Sequence, residues 1–268
     1  MNMCKKLLNK YVVAGITDVG NVRKHNEDNI LIDEDLGLLL VADGMGGHEA
    51  GEVASAEAIN EIHSALQSQE FHMSFRSWLA DLHNSFATVS VNFKEKKDAL
   101  KKVLHEANNH LYQLNMERNA LNGSGMGTTI AGCWLLSVDV MLVFHIGDSR
   151  IYRIREGKLQ ALSRDHSMLQ LWLDGGCEGE KPSANVIVRA VGPYASVEPD
   201  IRITKIDEAD SFLICSDGLT DMLDDAEIEQ IQQRLSGQLP EVYCQQLLAA
   251  ALQRGGKDNV SIIWMAPG

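Results

Sequence analysis

Three apolar runs in this chain each stop on an aspartate. Leu38-Leu39-Leu40-Val41-Ala42 ends in Asp43-Gly44. Met141-Leu142-Val143-Phe144-His145-Ile146-Gly147 ends in Asp148, and Phe212-Leu213-Ile214-Cys215-Ser216 ends in Asp217-Gly218. Short apolar runs bounded by glycine-rich turns predict buried strands, each delivering one acid to an open end. A fourth acid, Asp258, stands just before the apolar run Val260-Ser261-Ile262-Ile263-Trp264. A lone Asp-Gly is most simply a turn signal. Turns need no apolar run in front of them, so the threefold repetition asks for another reason.

The remaining pattern predicts short strands at 11–16, 30–32 and 201–206, with Asp33-Glu34-Asp35 as an acidic hairpin loop. Residues 50–66 are expected to be helical, because Val53, Ile59, Ile62 and Leu66 share one face. Phe75, Trp78, Leu79, Leu82, Phe86 and Val89 mark a second helical stripe, and Leu100, Val103, Leu104, Ala107, Leu111 and Leu114 a third. The charged stretch 94–102 is expected to face solvent. From Thr128 the chain reads as a meander, with strands at 129–136, 140–146, 150–155 and 159–162. Its connections are too short for helix crossovers, so the strands are antiparallel and a Rossmann-type sheet is excluded. Asp165-His166-Ser167 opens a short helix at 168–174, a polar loop follows, and 186–191 returns as apolar structure. Helices are expected at 224–235 and 241–252. No internal repeat, low-complexity tract or linker interrupts the chain, so residues 1–268 are read as one domain.

A hydrophobic content of 45% with 23% charged residues is that of a soluble globular protein. The formal charge of -13 argues against nucleic acid as the partner. Five scattered cysteines without a Cys-x-x-Cys pair suggest neither a zinc site nor a disulfide framework, and fit a reducing cytoplasm. No run approaches the roughly 20 apolar residues of a membrane span, and the lysines near the N-terminus precede no signal-type apolar stretch. The glycine-rich stretch at 123–127 lacks the lysine of a P-loop. Carboxylates gathered at strand ends would repel one another and take up protons. A hard divalent cation such as Mg²⁺ or Mn²⁺ removes that penalty, so a multi-metal carboxylate site is expected.

Six motifs stand in order: Arg23-x-x-Asn26-Glu27-Asp28, Asp43-Gly44-Met45-Gly46-Gly47-His48, Met126-Gly127-Thr128-Thr129, Gly147-Asp148-Ser149-Arg150, Ser216-Asp217-Gly218-Leu219-Thr220-Asp221 and Asp258-Asn259-Val260. From Tyr11 to Trp264 the chain resembles the metal-dependent Ser/Thr protein phosphatases of type 2C, specifically their bacterial branch. That resemblance implies an α+β fold, a four-layer α-β-β-α sandwich of two antiparallel sheets flanked by helices. It implies that Asp43, the Gly44 carbonyl, Asp217 and Asp258 hold two Mn²⁺ or Mg²⁺ ions, with a third bound through Asp148 and Asp221. For Asp148 and Asp221, hydrogen bonding at a turn is the alternative. It implies that Arg23 takes the substrate phosphate, and that Glu27 and Asp28 orient the metal ligands and bound water. A metal-bridging hydroxide would attack phosphoserine or phosphothreonine directly, with no protein nucleophile. Eukaryotic members carry a histidine where Met45 stands. His48, three residues on, is a candidate for its role as general acid; a loop-supporting His48, with water as the acid, is the alternative.

The partners implied are phosphorylated proteins, with a functional pairing to a bacterial Ser/Thr kinase. No nucleic acid or membrane is expected, and the chain is expected to be a cytoplasmic monomer. Segment 168–188 matches the family's mobile flap and is short here. A phosphatase-like module that docks a phosphoprotein without turnover is the other reading. Retention of Asp43, Asp217 and Asp258 favours the enzyme.

Overall fold

The structure is a computed structural model that describes residues 5–7, 10–46, 50–68, 89–118, 125–183 and 185–268. Among the described residues there are two six-stranded sheets. In the first, β1 (Lys5–Leu7), β2 (Tyr11–Asp18), β12 (Val260–Pro267), β11 (Ser211–Cys215), β8 (Arg150–Arg155) and β9 (Lys158–Ala161) lie side by side in that order. In the second the order is β10 (Asp200–Lys205), β7 (Val140–Ile146), β6 (Ile130–Leu135), β4 (Leu38–Met45) and β3 (Asp28–Asp33), with β5 (Gly127–Thr128) paired to the end of β4. Every named pairing is antiparallel.

The uninterrupted apolar runs follow from burial on both faces. Leu39 and Val41 of β4 point between the sheets and meet Ile214 and Phe212 of β11 and Ile263 of β12 in the central core. Leu38, Leu40 and Ala42 alternate to the opposite face and pack under α1 (Ala50–Gln67) and α2 (Val89–Glu117). The first sheet repeats the arrangement. Leu213, Cys215, Ile262 and Trp264 face outward against α6 (Pro240–Gln253) and Ile228 of α5 (Asp225–Arg234), with Trp264 stacked on Tyr243 at 4.3 Å. The layers therefore run helix, sheet, sheet, helix, as expected. The short helices α3 (Met168–Asp174) and α4 (Asp217–Thr220) complete the described elements. Asp224 and Glu227 start α5 with a reciprocal capping box, and Pro240 begins α6.

Three details depart from the sequence expectations. The meander is two hairpins in different sheets, β6–β7 in one and β8–β9 in the other. The chain changes sheet at Gly147-Asp148-Ser149, where Gly147 adopts φ +108°. Short connections imply antiparallel neighbours, but they do not say when a glycine corner carries the chain across the sandwich. The charged stretch 94–102 belongs to α2, and Lys96 turns inward so that its Nζ lies 5.8 Å from the centre of the Trp134 ring. Residues 186–191 form no strand, only the isolated bridges Ser167↔Ile187 and Thr128↔Val191, and Val186 and Val188 are exposed. The acidic loop after β3 is the expected hairpin connection to β4. Asp33 Oδ1 accepts from the Leu36 amide and Oδ2 pairs with His63. The stripe at 75–86, Gly123-Ser124 and His48 lie outside the described residues. No described helix is long and apolar enough to cross a membrane.

Candidate active site

At one end of the sandwich the acids of the apolar runs come together. β4 delivers Asp43, the β7–β8 corner delivers Asp148, the end of β11 delivers Asp217 as the first residue of α4, and the residue before β12 is Asp258. With Arg23, Glu27, Gly44, Met45, Gly46 and Thr129, and with Asn185 and Ile187 on the far wall, they line a cleft of about 220 Å³. Arg23 is the one basic side chain in this lining among the described residues.

Backbone and hydroxyl partners hold the strands and loops that carry these acids. Asp28 lies directly opposite Asp43 in the β3–β4 register and accepts a 2.8 Å hydrogen bond from Ser216 Oγ, which joins the two sheets at the cleft floor. The Asp43 amide donates to Thr129 Oγ1 at 3.0 Å, and Thr129 Oγ1 meets Ser149 Oγ at 2.7 Å, tying the Asp43 strand to the Asp148 corner. Asn259 accepts the Glu27 amide on its Oδ1 at 2.8 Å. Its Nδ2 donates to the Val19 and His25 carbonyls, each at 2.9 Å. The loop that carries Arg23 and Glu27 is thereby fastened to β12, and Arg23 Nη2 reaches Asp258 Oδ2 at 2.6 Å.

The Asp-Gly steps are not hairpin turns here. Gly44 continues β4, and a Cβ placed on it would stand 2.1 Å from the Gly51 carbonyl and 2.6 Å from that of Glu27. A Cβ on Gly218 would stand 1.9 Å from the Asn259 carbonyl. Glycine is required because a second backbone comes this close.

The electrostatics are those of acids lacking a counter-charge. Burial, then Asp28 and Asp217, hold the Asp43 carboxyl well above the usual carboxylate range. Burial, then the Asp217 charge, pushes Asp148 up to about 7. Burial, then Asp221, pushes Asp217 up to about 6. Burial raises Asp28 to about 7 against the hydrogen bonds from Ser261 and Ser216. Asp28 Oδ1 and Asp217 Oδ1 are buried with no hydrogen-bond partner. An all-oxygen donor set, raised carboxylates and an orphaned Asp217 oxygen together fit a hard divalent cation.

Of the residues singled out in the sequence, Arg23, Glu27, Asp43, Gly44, Asp148, Asp217 and Asp258 line the cleft, and Asp28 lies behind Asp43. Asp221, four residues after Asp217 and at the end of α4, is exposed and outside the lining. Its charge still acts on Asp217 and Asp148. Met45 puts a thioether in the wall, and His48 lies outside the described residues. Arg189 does not line this cleft; it meets Asp200 and His166 elsewhere. Thr129, Ser149, Ser216 and Asn259 were in view only as letters of the motifs. Asn185 and Ile187 were not singled out individually; they fall in segment 168–188, matched in the sequence to the family's flap, and the Ser167↔Ile187 bridge holds Ile187 beside the cleft.

A second cluster, His145, His166 and Asp200, is no metal centre. The two imidazoles stack at 4.5 Å with planes 17° apart, so their in-plane lone pairs run side by side instead of converging. The Arg189 guanidinium already occupies the space beside His166 Nε2 and Asp200.

The profile of the family described as protein phosphatase 2C matches residues 21–253. The chain belongs to the protein phosphatase 2C family. Among its phosphatase 2C relatives, the serine/threonine phosphatase stp of Listeria monocytogenes is 30% identical over 257 residues, which is 92% of each chain. The serine/threonine protein phosphatase PstP of Mycobacterium tuberculosis is 34% identical over 93% of this chain and 44% of its own length. The structure of PppA, a regulatory component of the type VI secretion system in Pseudomonas aeruginosa, superposes with a TM-score of 0.76 at 32% identity, covering 96% of this chain and 98% of that one. The catalytic domain of PstP in complex with two manganese ions superposes with a TM-score of 0.76 at 29% identity, with the same coverage. A relative of the same fold thus binds two manganese ions.

Proposed function

We propose that this chain is a protein serine/threonine phosphatase that depends on divalent cations. One observation carries the proposal: Asp43, Asp148, Asp217 and Asp258, from four separate strand ends, converge on one cleft whose only basic lining residue among those described is Arg23. Asp43, the Gly44 carbonyl, Asp217 and Asp258 would hold two Mn²⁺ or Mg²⁺ ions. Asp148 and Asp221, sharing Asp217, would hold a third. The PstP structure in complex with two manganese ions supports divalent-cation binding by this fold. Bound ions would acidify coordinated water and offset phosphate charge, so the protein needs no covalent nucleophile.

The residues of the chain bind and orient. Arg23 stands at the rim with half of its side chain exposed, where its fork can take two phosphate oxygens. Glu27, set by its amide on Asn259, offers an acceptor to water at the cleft edge. Asp28, gripped by Ser216, backs Asp43 and fixes its strand. His48 is the candidate that returns a proton to the departing seryl or threonyl oxygen. The substrates are phosphorylated proteins, made by a bacterial Ser/Thr kinase that this enzyme opposes, and the enzyme works as a monomer in the cytoplasm. The test is phosphate release from a phosphothreonine peptide with added Mn²⁺. Release that chelation stops and Asp217→Asn abolishes bears the proposal out. Peptide binding without release under either metal would make the chain a docking module.

A further inference from the structure

Asp148 sits in a four-residue corner whose two ends are gripped by two consecutive residues from elsewhere in the chain. At one end His166 makes a reciprocal pair with Gly147. The His166 amide donates to the Gly147 carbonyl at 2.9 Å, and the Gly147 amide donates back to His166 Nδ1 at 3.1 Å. At the other end Asp165 takes Arg150 in a fork, with Nε at 2.9 and 3.1 Å and Nη2 at 2.7 Å. Gly147 holds φ +108°, a conformation that does not keep itself in place, and a Cβ there would meet Thr129 at 2.6 Å.

The Gly147 amide can only donate, so Nδ1 is its acceptor and carries no proton. Nε2 faces Arg189 Nη1 at 3.1 Å and Asp200 Oδ2 at 3.5 Å, and Arg189 Nη1 reaches the same carboxylate at 3.2 Å. The ring is buried and stacked on His145. Burial, then His145 and Arg189, push its titration down to about 4. On its other side the His166 carbonyl accepts the Val188 amide at 2.7 Å, beside the Ile187 that lines the cleft. His166 is therefore a joint between the Asp148 corner and the far wall of the site.

We infer that His166 is a positioning residue for Asp148, acting through the Gly147 amide by means of a neutral imidazole whose Nδ1 is the acceptor. The inference rests on the proposed role of Asp148 as a metal ligand. Such partners behind a ligand typically set metal affinity by about 10–100-fold.

Two amide substitutions separate the acceptor from mere bulk. In His166→Asn the side-chain oxygen falls where Nδ1 was. In His166→Gln it lies one carbon further out, where Nε2 was, and leaves the Gly147 amide bare. Mn²⁺ alone is titrated into each purified protein and free ion is followed by electron paramagnetic resonance, with Asp148→Asn as the reference. We expect Asp148→Asn to remove one class of ion, His166→Gln to weaken that class about 10–100-fold, and His166→Asn to stay near wild type. Wild-type binding by His166→Gln, while Asp148→Asn loses the class, overturns the inference and leaves the role of Asp148 standing. Should His166→Gln fail to fold, a folded His166→Asn that has lost the class overturns it equally. If Asp148→Asn binds every ion normally, Asp148 is no ligand, and that part of the proposed function falls together with the inference.

Discussion

Replacing Asp148 by asparagine should make the metal-free protein more stable. Asp148 is nearly buried and its carboxyl is pushed up from 3.8 to about 7 by burial first and the Asp217 charge second. The sign follows from linkage. A carboxyl raised in the folded state binds its proton more tightly there than in the unfolded chain. Stability is therefore lost as pH climbs from about 4 to about 7 and stays lost above that. Roughly three pH units at about 1.4 kcal/mol each give a ceiling near 4 kcal/mol, and water in the open cleft screens part of it. For a chain of this size each kcal/mol is worth about 2–4 °C, so a rise of about 5–15 °C is expected at pH 8. Asparagine keeps the shape and removes the charge. The assay is thermal melting in a chelator at pH 8 and pH 4.5. By the same linkage the gap at pH 4.5 should shrink to about a quarter. With saturating Mn²⁺ at pH 8 the order should reverse, because the wild type gains more from the ion. Equal melting in chelator at pH 8, or a variant that melts lower there, would refute the reasoning.

Other substitutions probe the remaining parts of the cleft. Arg23→Ala should lower kcat/KM on a phosphothreonine peptide by about 10–100-fold through loss of a charged hydrogen-bonding fork, and Arg23→Lys should restore little of it because an ammonium cannot reproduce the fork; steady-state kinetics decide. Gly44→Ala should prevent folding or abolish activity, since its Cβ would stand 2.1 Å from the Gly51 carbonyl; soluble yield and circular dichroism report which. Thr129→Val leaves the Asp43 amide and the Ser149 hydroxyl without their shared partner, and should cost about 1–3 kcal/mol in denaturant unfolding.

The strands were legible for a definite reason. β4, β7 and β11 are buried on both faces, so their apolar runs are unbroken and their final acids stand out. The helices over 50–67 and around 100–114 were legible from the stripe they turn to the second sheet. What failed was information held by another part of the chain. Gly44 read as a turn, because its crowding comes from Gly51 and Glu27. The passage from β7 to β8 read as one meander, because the change of sheet lies in a single glycine angle. The site acids were picked out by repetition and motif order. Their supports, Thr129, Ser149, Ser216 and Asn259, became visible only when the strands were aligned. Asp221 was picked out by motif order alone. One helical turn places it near Asp217 in charge but outside the cleft lining.

The central claim is that carboxylates from distant strand ends form one cation site, and anomalous diffraction at the manganese edge from crystals grown with Mn²⁺ tests it most directly. The account predicts strong peaks inside the cleft, within ligand distance of Asp43, Asp217 and Asp258. A fully occupied crystal with no peak among those three residues, or with peaks only at other surfaces, would contradict it.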